Sequence, residues 1–166
     1  SSLHFSDNNT LYSLDNGTLY TINWKKQTKT TIAENILSVT TKDDSLYLLK
    51  KQNDKSELLN IPRGGDIAKD AQILLNDLPV FTKSELLVTR SKEIFLLGDG
   101  SIYKVNDKLH KLTDNAIAWQ YNDHDSSLLF IGNSEINYFD FNFNLPDCLD
   151  LRAYIHSIYA WLNPKK

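Results

Sequence analysis

Short runs of alternating apolar and polar residues fill most of the chain, and polar turns separate them. The first two clear runs are residues 9–14 and 18–23. Alternation with a period of two is typical of β-strands that bury one face. The step Asn16-Gly17 lies between these runs, and both residues tolerate the positive φ of a tight hairpin turn. The pattern therefore predicts an all-β chain built from antiparallel hairpins.

One strand pattern returns about every forty residues, which is the interval of blades in a β-propeller or a related β array. The equivalent apolar positions are Leu19, Leu58, Ile102 and Ile136. A second series, on the second strand of successive units, is Leu46, Leu87 and Leu129. We therefore predict about four blade-like antiparallel sheets, which would form a small or partial β-propeller.

The repeat divides the chain into approximate units within one domain, residues 1–166. The units are residues 9–34, 35–76, 77–114 and 115–144, followed by a C-terminal strand at 154–161. Secondary structure is also predicted for two less regular segments. Residues 79–82 are predicted to be the first strand of the third unit, and a short helical turn is predicted around Asp66–Asp70.

Composition excludes several classes of function. The net charge is −3 with both signs interspersed, so no basic surface predicts binding to nucleic acid. No apolar run approaches the roughly 18 residues of a membrane span, which predicts no direct membrane insertion. A single cysteine, Cys148, excludes an intrachain disulfide. The chain starts at Ser1 and contains no Met, which predicts a processed or excised protein. The compartment is unknown, with an extracytoplasmic or secreted location slightly favoured.

The segment 115–140 resembles the repeats of TolB-like and WD40-like β-propellers. The resemblance is carried by Trp119, Asp123, Asp125, Leu128-Leu129-Phe130, Glu135-Ile136 and Asp140. The Ser-Pro-Asp-Gly turn of TolB-like blades and the Trp-Asp dipeptide are both missing, so the subfamily stays open. The resemblance implies a fold that serves mainly as a platform for binding proteins, although some propellers are enzymes.

No motif in the chain indicates a catalytic, cofactor or metal site. The four histidines, His4, His110, His124 and His156, do not have the spacing of metal ligands. The acidic pair Asp123 and Asp125 flanks His124, but the remaining pattern of a calcium loop is missing, and a surface turn is favoured. We therefore predict no catalytic residue, no cofactor and no metal.

The preferred function is a non-catalytic protein-binding or scaffold domain that recognises its partner through blade loops. Candidate loops are residues 62–70, 122–126 and 145–153, and the candidate contact residues are Trp24, Arg63, Asp123, His124 and Asp125. Trp24 lies at a strand end beside two lysines and is the best candidate for an exposed aromatic, and arginine is enriched in binding hot spots. A protein partner is expected, and self-association through open blade edges stays an alternative.

Two other functions stay open at this level. One is a carbohydrate-binding or carbohydrate-processing propeller. A deep pocket with clustered acidic residues and an aromatic side chain would favour it. The other is a purely structural unit of a larger envelope protein. A flat loop face with few pockets would favour the protein-binding function.

Overall fold

Antiparallel β-sheets make up nearly all of the computed structural model, which describes residues 2–5, 10–62, 64–124, 126–132 and 135–140. The elements of the first two sheets are β1 (Ser2–Phe5), β2 (Leu11–Asp15), β3 (Thr18–Asn23), β4 (Thr28–Ala33), β5 (Ile36–Lys42), β6 (Ser45–Gln52), β7 (Lys55–Ile61), α1 (Ile67–Asp70) and β8 (Gln72–Leu78). The elements of the third and fourth sheets are β9 (Ser84–Val88), β10 (Ile94–Gly98), β11 (Ser101–Val105), β12 (Leu109–Thr113), β13 (Ala116–Asn122), β14 (Ser127–Gly132) and β15 (Glu135–Asp140).

Each sheet is a meander of consecutive strands. The orders are β1-β2-β3-β4, β5-β6-β7-β8, β9-β10-β11-β12 and, among the described residues, β13-β14-β15. Three turns have two consecutive residues with positive φ. Asn16-Gly17 and Asp99-Gly100 join second to third strands, and Asp43-Asp44 joins a first strand to a second strand. Such turns match the right-handed twist of the strands that they join. The hairpin predicted from the Asn16-Gly17 step is confirmed.

The repeat of apolar positions also corresponds to real structural equivalence. Leu19, Leu58, Ile102 and Ile136 all lie on the third strand of their sheets. The prediction of four antiparallel sheets in an all-β chain is therefore confirmed, and the short helix α1 lies where a helical turn was expected.

The strand predicted at 79–82 is wrong, because this segment is a linker between the second and third sheets. Pro79 has no N–H to give to a ladder, and the Ser56 hydroxyl donates to its carbonyl oxygen at 2.6 Å. The Asp99 carboxylate accepts the backbone N–H groups of Thr82 and Lys83, at 3.1 and 2.8 Å. As a consequence the third sheet begins at Ser84.

The later start of the third sheet corrects one predicted equivalence. A separate difference is an additional strand in the first sheet. Leu87 lies on β9, the first strand of its sheet, whereas Leu46 and Leu129 lie on second strands. The predicted first unit began at residue 9, but β1 precedes it and pairs with β2 from Ser2 opposite Leu14 to Phe5 opposite Leu11. The sequence around β1 is too short to show an alternating pattern.

Two compact units divide the chain, residues 1–112 and 113–166. Two apolar clusters hold the first unit together. One packs Leu19 of the first sheet with Ile36, Val39, Leu46, Leu48, Leu59 and Ile61 of the second sheet. The other packs Leu49, Leu58 and Leu78 of the second sheet with Phe81, Leu86, Leu96 and Val105.

The second sheet thus buries both of its faces. We call the face that carries Leu49 and Leu58 the forward face, because it packs on the third sheet. The face that carries Leu48 and Leu59 is the back face, because it packs on the first sheet. The same names apply to equivalent positions of the other sheets, so Leu19 lies on the forward face of the first sheet.

Candidate functional site

A cleft of about 510 Å³ opens between the first and second sheets, at the end where first strands turn into second strands. Its floor is formed by Leu46 and Ile61, which belong to the apolar cluster between the two sheets. The first sheet contributes Thr10, Tyr12, Thr21, Thr31 and Ile32 to the walls, and the second sheet contributes Asp44, Pro62, Gly64, Gly65, Asp66, Ile67 and Ala68. The walls therefore offer hydroxyl, carboxylate and backbone groups above an apolar floor.

The wall formed by Pro62 and residues 64–68 is held by local hydrogen bonds. The Gly65 N–H donates to the carbonyl oxygen of Pro62 at 2.9 Å, which closes a turn, and Gly64 has φ +70. Asp66 caps the helix α1, because its carboxylate accepts the Ala68 N–H at 2.7 Å. The Asp66 N–H in turn donates to the Asp70 carboxylate at 2.7 Å. This reciprocal cap fixes the loop although the helix has only four residues.

Tyr12 and Asp44 face each other across the cleft from different sheets. Burial raises the pKa of the Tyr12 phenol above its ordinary value, and the charge of Asp44 raises it further. Tyr12 is therefore a neutral hydroxyl at physiological pH, able both to donate and to accept a hydrogen bond. Neither residue was singled out by the sequence, because their proximity depends on how the two sheets pack.

Trp24 is exposed on a second concavity of the first sheet, which shares Thr10 and Thr21 with the cleft. The side chain of Trp24 is 64% exposed, as its place at the end of a strand predicts. It lies in the turn between β3 and β4, and the Lys25 ammonium is 5.4 Å from the centre of its ring. The turn is held by the Lys26 N–H, which donates to Asn23 Oδ1 at 3.0 Å. An exposed aromatic side chain thus borders the cleft.

The other sequence-predicted contact residues lie elsewhere or outside the described residues. Asp123 and His124 are exposed in the turn between β13 and β14, in the unit of residues 113–166. The His124 N–H donates to Asn122 Oδ1 at 3.0 Å, which shapes that turn. Arg63 and Asp125 lie outside the described residues, and so does the loop 145–153. The described candidates therefore lie in different units, Trp24 in residues 1–112 and Asp123 and His124 in residues 113–166.

A third concavity, of about 460 Å³, lies along the first strands of the first three sheets. His4 contributes to it, and its Nε2 lies 2.9 Å from the Ser2 hydroxyl oxygen. Burial lowers the pKa of the His4 imidazole, and the charge of Glu85 opposes that change. His4 is therefore neutral at pH 7. Ser38 of β5 and Ser84 of β9 also line this concavity.

The described part of the chain contains no group of three or more His, Cys, Asp or Glu side chains that could hold a metal ion. Within that part there is also no helix of the length and apolar character that crossing a membrane requires.

Comparison with solved structures identifies the fold. The chain is similar to a tricorn protease (TM-score 0.63, 13% identity, 86% of this chain and 16% of that chain). It is also similar to TolB from Acinetobacter baumannii (TM-score 0.56, 13% identity, 87% of this chain and 42% of that chain). A third similar structure is a chain of a nidogen/laminin complex (TM-score 0.58, 13% identity, 85% of this chain and 58% of that chain).

These neighbours are β-propeller proteins, and the prediction of propeller-like sheets is confirmed. The chain spans between about a sixth and three fifths of the length of these three structures. No protein-family model matches the sequence, and no curated protein sequence matches it. At such low identity the similarity concerns the fold alone, and the sheets of this chain are those of a propeller or of part of one.

Proposed function

We propose that this chain is a non-catalytic recognition domain that binds a protein partner at the cleft between its first two sheets. The observation that supports the proposal most directly is the continuity of the cleft with the Trp24 concavity through Thr10 and Thr21. Together the two depressions form one surface, which we call the Trp24 surface. It has an apolar floor, a polar wall and an exposed aromatic side chain at its border.

Such a surface suits an extended segment or loop of a protein partner. Tryptophan is enriched in binding hot spots because it buries a large rigid area and loses little side-chain entropy. The threonines lie on or next to strands of the first sheet, so they are ordered before the partner arrives. Preorganisation lowers the entropic cost of association, which is a main determinant of affinity.

Arg63 is retained as a candidate anchor because its neighbours Pro62 and Gly64 line the cleft. The turn with Asp123, His124 and Asp125 is retained as a second candidate contact, on the fourth sheet. The similar structures include one from a nidogen/laminin complex, in which the neighbour is part of a protein–protein assembly.

Carbohydrate binding is the second candidate, since Tyr12 and Asp44 place an aromatic hydroxyl and a carboxylate in one cleft. A sugar site usually combines ring stacking with several polar groups around a small ligand. Here Asp66 is occupied by the cap of α1, and Trp24 lies in the neighbouring concavity and not in the cleft. These positions favour a longer ligand, which reaches both depressions.

Site-specific photo-crosslinking tests the proposal. A photoreactive amino acid is placed at Thr28, which lines the Trp24 concavity, or at Ala68, which lines the cleft. The matched control carries it at Asp54, in the exposed turn between β6 and β7. We expect one protein adduct from Thr28 and Ala68 in an extract of the source cells and none from Asp54. Excess unlabelled chain should compete for the adduct, and chain with Trp24→Ala should not.

Two results would contradict the protein-binding function. The first is equal labelling from all three positions, which would indicate nonspecific contact. The second is the absence of an adduct together with selective binding on a glycan array that Tyr12→Phe and Asp44→Asn abolish. That second result would establish the carbohydrate alternative.

A further inference from the structure

The hairpin of β3 and β4 carries a local positive charge in a chain whose net charge is −3. Its strands and turn contain Lys25, Lys26 and Lys29 and no acidic residue. In the described part of the chain, none of these three ammonium groups pairs with a carboxylate. By contrast, Lys55 at the start of β7 pairs with Asp77 at 2.8 Å. The β3–β4 hairpin therefore offers positive charge that the chain itself does not neutralise.

The turn of this hairpin presents two of the three lysines. It comprises residues 24–27, and Asn23 lies opposite Thr28 where the two strands enter it. The Lys26 N–H donates to Asn23 Oδ1 at 3.0 Å, which orders the backbone of the turn. Lys25 and Lys26 both line the Trp24 concavity. Their charges therefore belong to the Trp24 surface.

Hydrogen-bond donors accompany the two lysines on one face of the hairpin. Thr21 lies opposite Thr30, two positions along the strands from the pair of Asn23 and Thr28. These four side chains share a face, because positions two apart on a strand point the same way. All four line the concavity, and none of the described residues that line it carries a carboxylate. Hydroxyl and ammonium groups both donate hydrogen bonds to carboxylates, and those from ammonium groups are charge-assisted.

Lys29 belongs to the same hairpin but not to this arrangement. It lies between Thr28 and Thr30 on β4, so its side chain points to the other face of the sheet. There its ammonium group is 3.6 Å from the centre of the Tyr20 ring. Lys29 thus has the same charge on the same hairpin without lining the concavity, which makes it an internal control.

We propose that the partner segment bound at the Trp24 surface is acidic, with Asp or Glu side chains that pair with Lys25 and Lys26. The inference rests on the proposed function, whose site it shares. Charge complementarity across an interface steers association and selects between partners. The Lys25 ammonium is 5.4 Å from the centre of the Trp24 ring, so a carboxylate that reaches it comes beside the indole. An apolar side chain next to that carboxylate can therefore pack on Trp24.

A protein segment suits this surface better than a nucleic acid does. Nucleic-acid sites contact many phosphates and present a basic patch or stripe. Here two lysines line the concavity, and the neighbouring cleft includes Asp44 and Asp66. A phosphate backbone that continued from the concavity into the cleft would meet these like charges. A protein segment can instead carry its acidic residues only where it contacts the lysines.

Selection from a library of random peptides displayed on phage, with the folded wild-type chain as bait, tests the inference. We expect the selected peptides to be enriched in Asp and Glu around an apolar or aromatic residue. One selected peptide is then synthesised with a fluorescent label, together with a copy in which Gln and Asn replace Glu and Asp. In fluorescence anisotropy the uncharged copy should bind about tenfold more weakly, because it loses two exposed ion pairs. Added salt should weaken binding of the acidic peptide.

Variants of the chain separate the two turn lysines from the rest of the hairpin. Lys25→Gln and Lys26→Gln should each weaken binding of the acidic peptide about threefold, and the double variant about tenfold. Lys29→Gln is the matched control and should leave the affinity unchanged. Trp24→Ala should weaken binding of the acidic and the uncharged peptide alike, since its contact is apolar. Circular dichroism checks that all variants remain folded.

The outcomes distinguish failure of the inference from failure of the proposed function. Peptides that need Trp24 but show no excess of Asp or Glu would overturn the inference and leave the proposed function intact. Equal losses from Lys29→Gln and Lys26→Gln would also overturn it, because overall charge would explain them. So would equally tight binding of a single-stranded oligonucleotide that needs the same two lysines. If no peptide is selected, or if Trp24→Ala leaves binding unchanged, both the inference and the proposed function are contradicted.

Discussion

The second and fourth sheets share one strand register, and they differ in what covers them. Both carry a bulge at the same place on the first strand and large apolar residues at matching positions of the next two. The forward face of the second sheet is buried, with Leu58 1% exposed, while Ile136 at the same position is 52% exposed. The comparison shows that the alternating pattern specifies a strand and its apolar face, whereas burial also depends on a neighbouring sheet.

The back faces of the two sheets should respond alike to truncation, and with the largest effect. Leu48 of β6 is 0% exposed and Phe130, at the equivalent position of β14, is 3% exposed. Leu48→Ala and Phe130→Ala should each lower the free energy of unfolding by about 2–5 kcal/mol, since each removes most of a buried side chain and leaves a cavity. Urea denaturation followed by circular dichroism measures both. A loss below about 1 kcal/mol for Phe130→Ala would mean that the fourth sheet does not pack its back face.

Truncation of an apolar side chain on the forward face should lower stability more in the second sheet than in the fourth. Leu58→Ala should cost about 2–5 kcal/mol, because Leu58 is buried between the second and third sheets. Ile136→Ala removes a half-exposed side chain, and surface substitutions usually change stability by about 0.5 kcal/mol or less. Both variants are unfolded in urea at a concentration where the wild-type chain is monomeric. Equal losses would contradict the assignment of the fourth sheet's forward face as open.

Much of the fold follows from local chemistry that is visible in the sequence. The β3 strand was predicted at its observed bounds, 18–23. The Asn16-Gly17 turn was predictable because positive φ is inexpensive for both residues. The error at 79–82 has an equally local origin, since Val80 and Phe81 look like strand residues. Phe81 is instead buried against Gly98, where an added Cβ would overlap its ring.

The candidate site was predictable only in part. Trp24 could be selected because a tryptophan beside two lysines at a strand end is poorly suited to a core. The cleft beside it could not be predicted, because Tyr12 and Asp44 are 32 positions apart and meet only through sheet packing. The loop 62–70 was predicted from its glycines and proline, but its place in the cleft wall depends on the first sheet. Pairings between sheets therefore mark the limit of what one sequence reveals.

A smaller loss of stability is expected from a substitution at the linker between the second and third sheets. Ser56→Ala removes the hydroxyl that donates to Pro79 O at 2.6 Å. Loss of one such hydrogen bond should lower the free energy of unfolding by about 1 kcal/mol. Thr28→Ala on the exposed strand β4 serves as the control, with an expected change of about 0.5 kcal/mol or less. An unchanged stability for Ser56→Ala would show that the hydroxyl does not anchor the linker.

The smallest effect concerns a position that carries tyrosine in the first two sheets and leucine in the fourth. Tyr12 and Tyr47 occupy equivalent places on β2 and β6, and Leu129 takes that place on β14. Burial raises the pKa of both phenols, with smaller contributions from Asp44 at Tyr12 and from Asp43 at Tyr47. A phenol with a raised pKa binds its proton more tightly in the folded state than in the unfolded state. The folded protein should therefore lose stability as the pH rises above about 10, the ordinary pKa of tyrosine, and show no such loss at lower pH.

Urea denaturation at a series of alkaline pH values, with the Tyr12→Phe, Tyr47→Phe double variant beside the wild-type chain, measures this loss. The double variant should lose less stability between pH 9 and 11, and the absorbance of phenolate in the folded wild type should rise later than in urea-unfolded chain. If the two chains lose stability equally over that range, the phenols of the first two sheets are not buried as the structure has them. In that case Tyr12 and Tyr47 would differ from Leu129 of the fourth sheet in residue type alone, and burial would not distinguish the three positions.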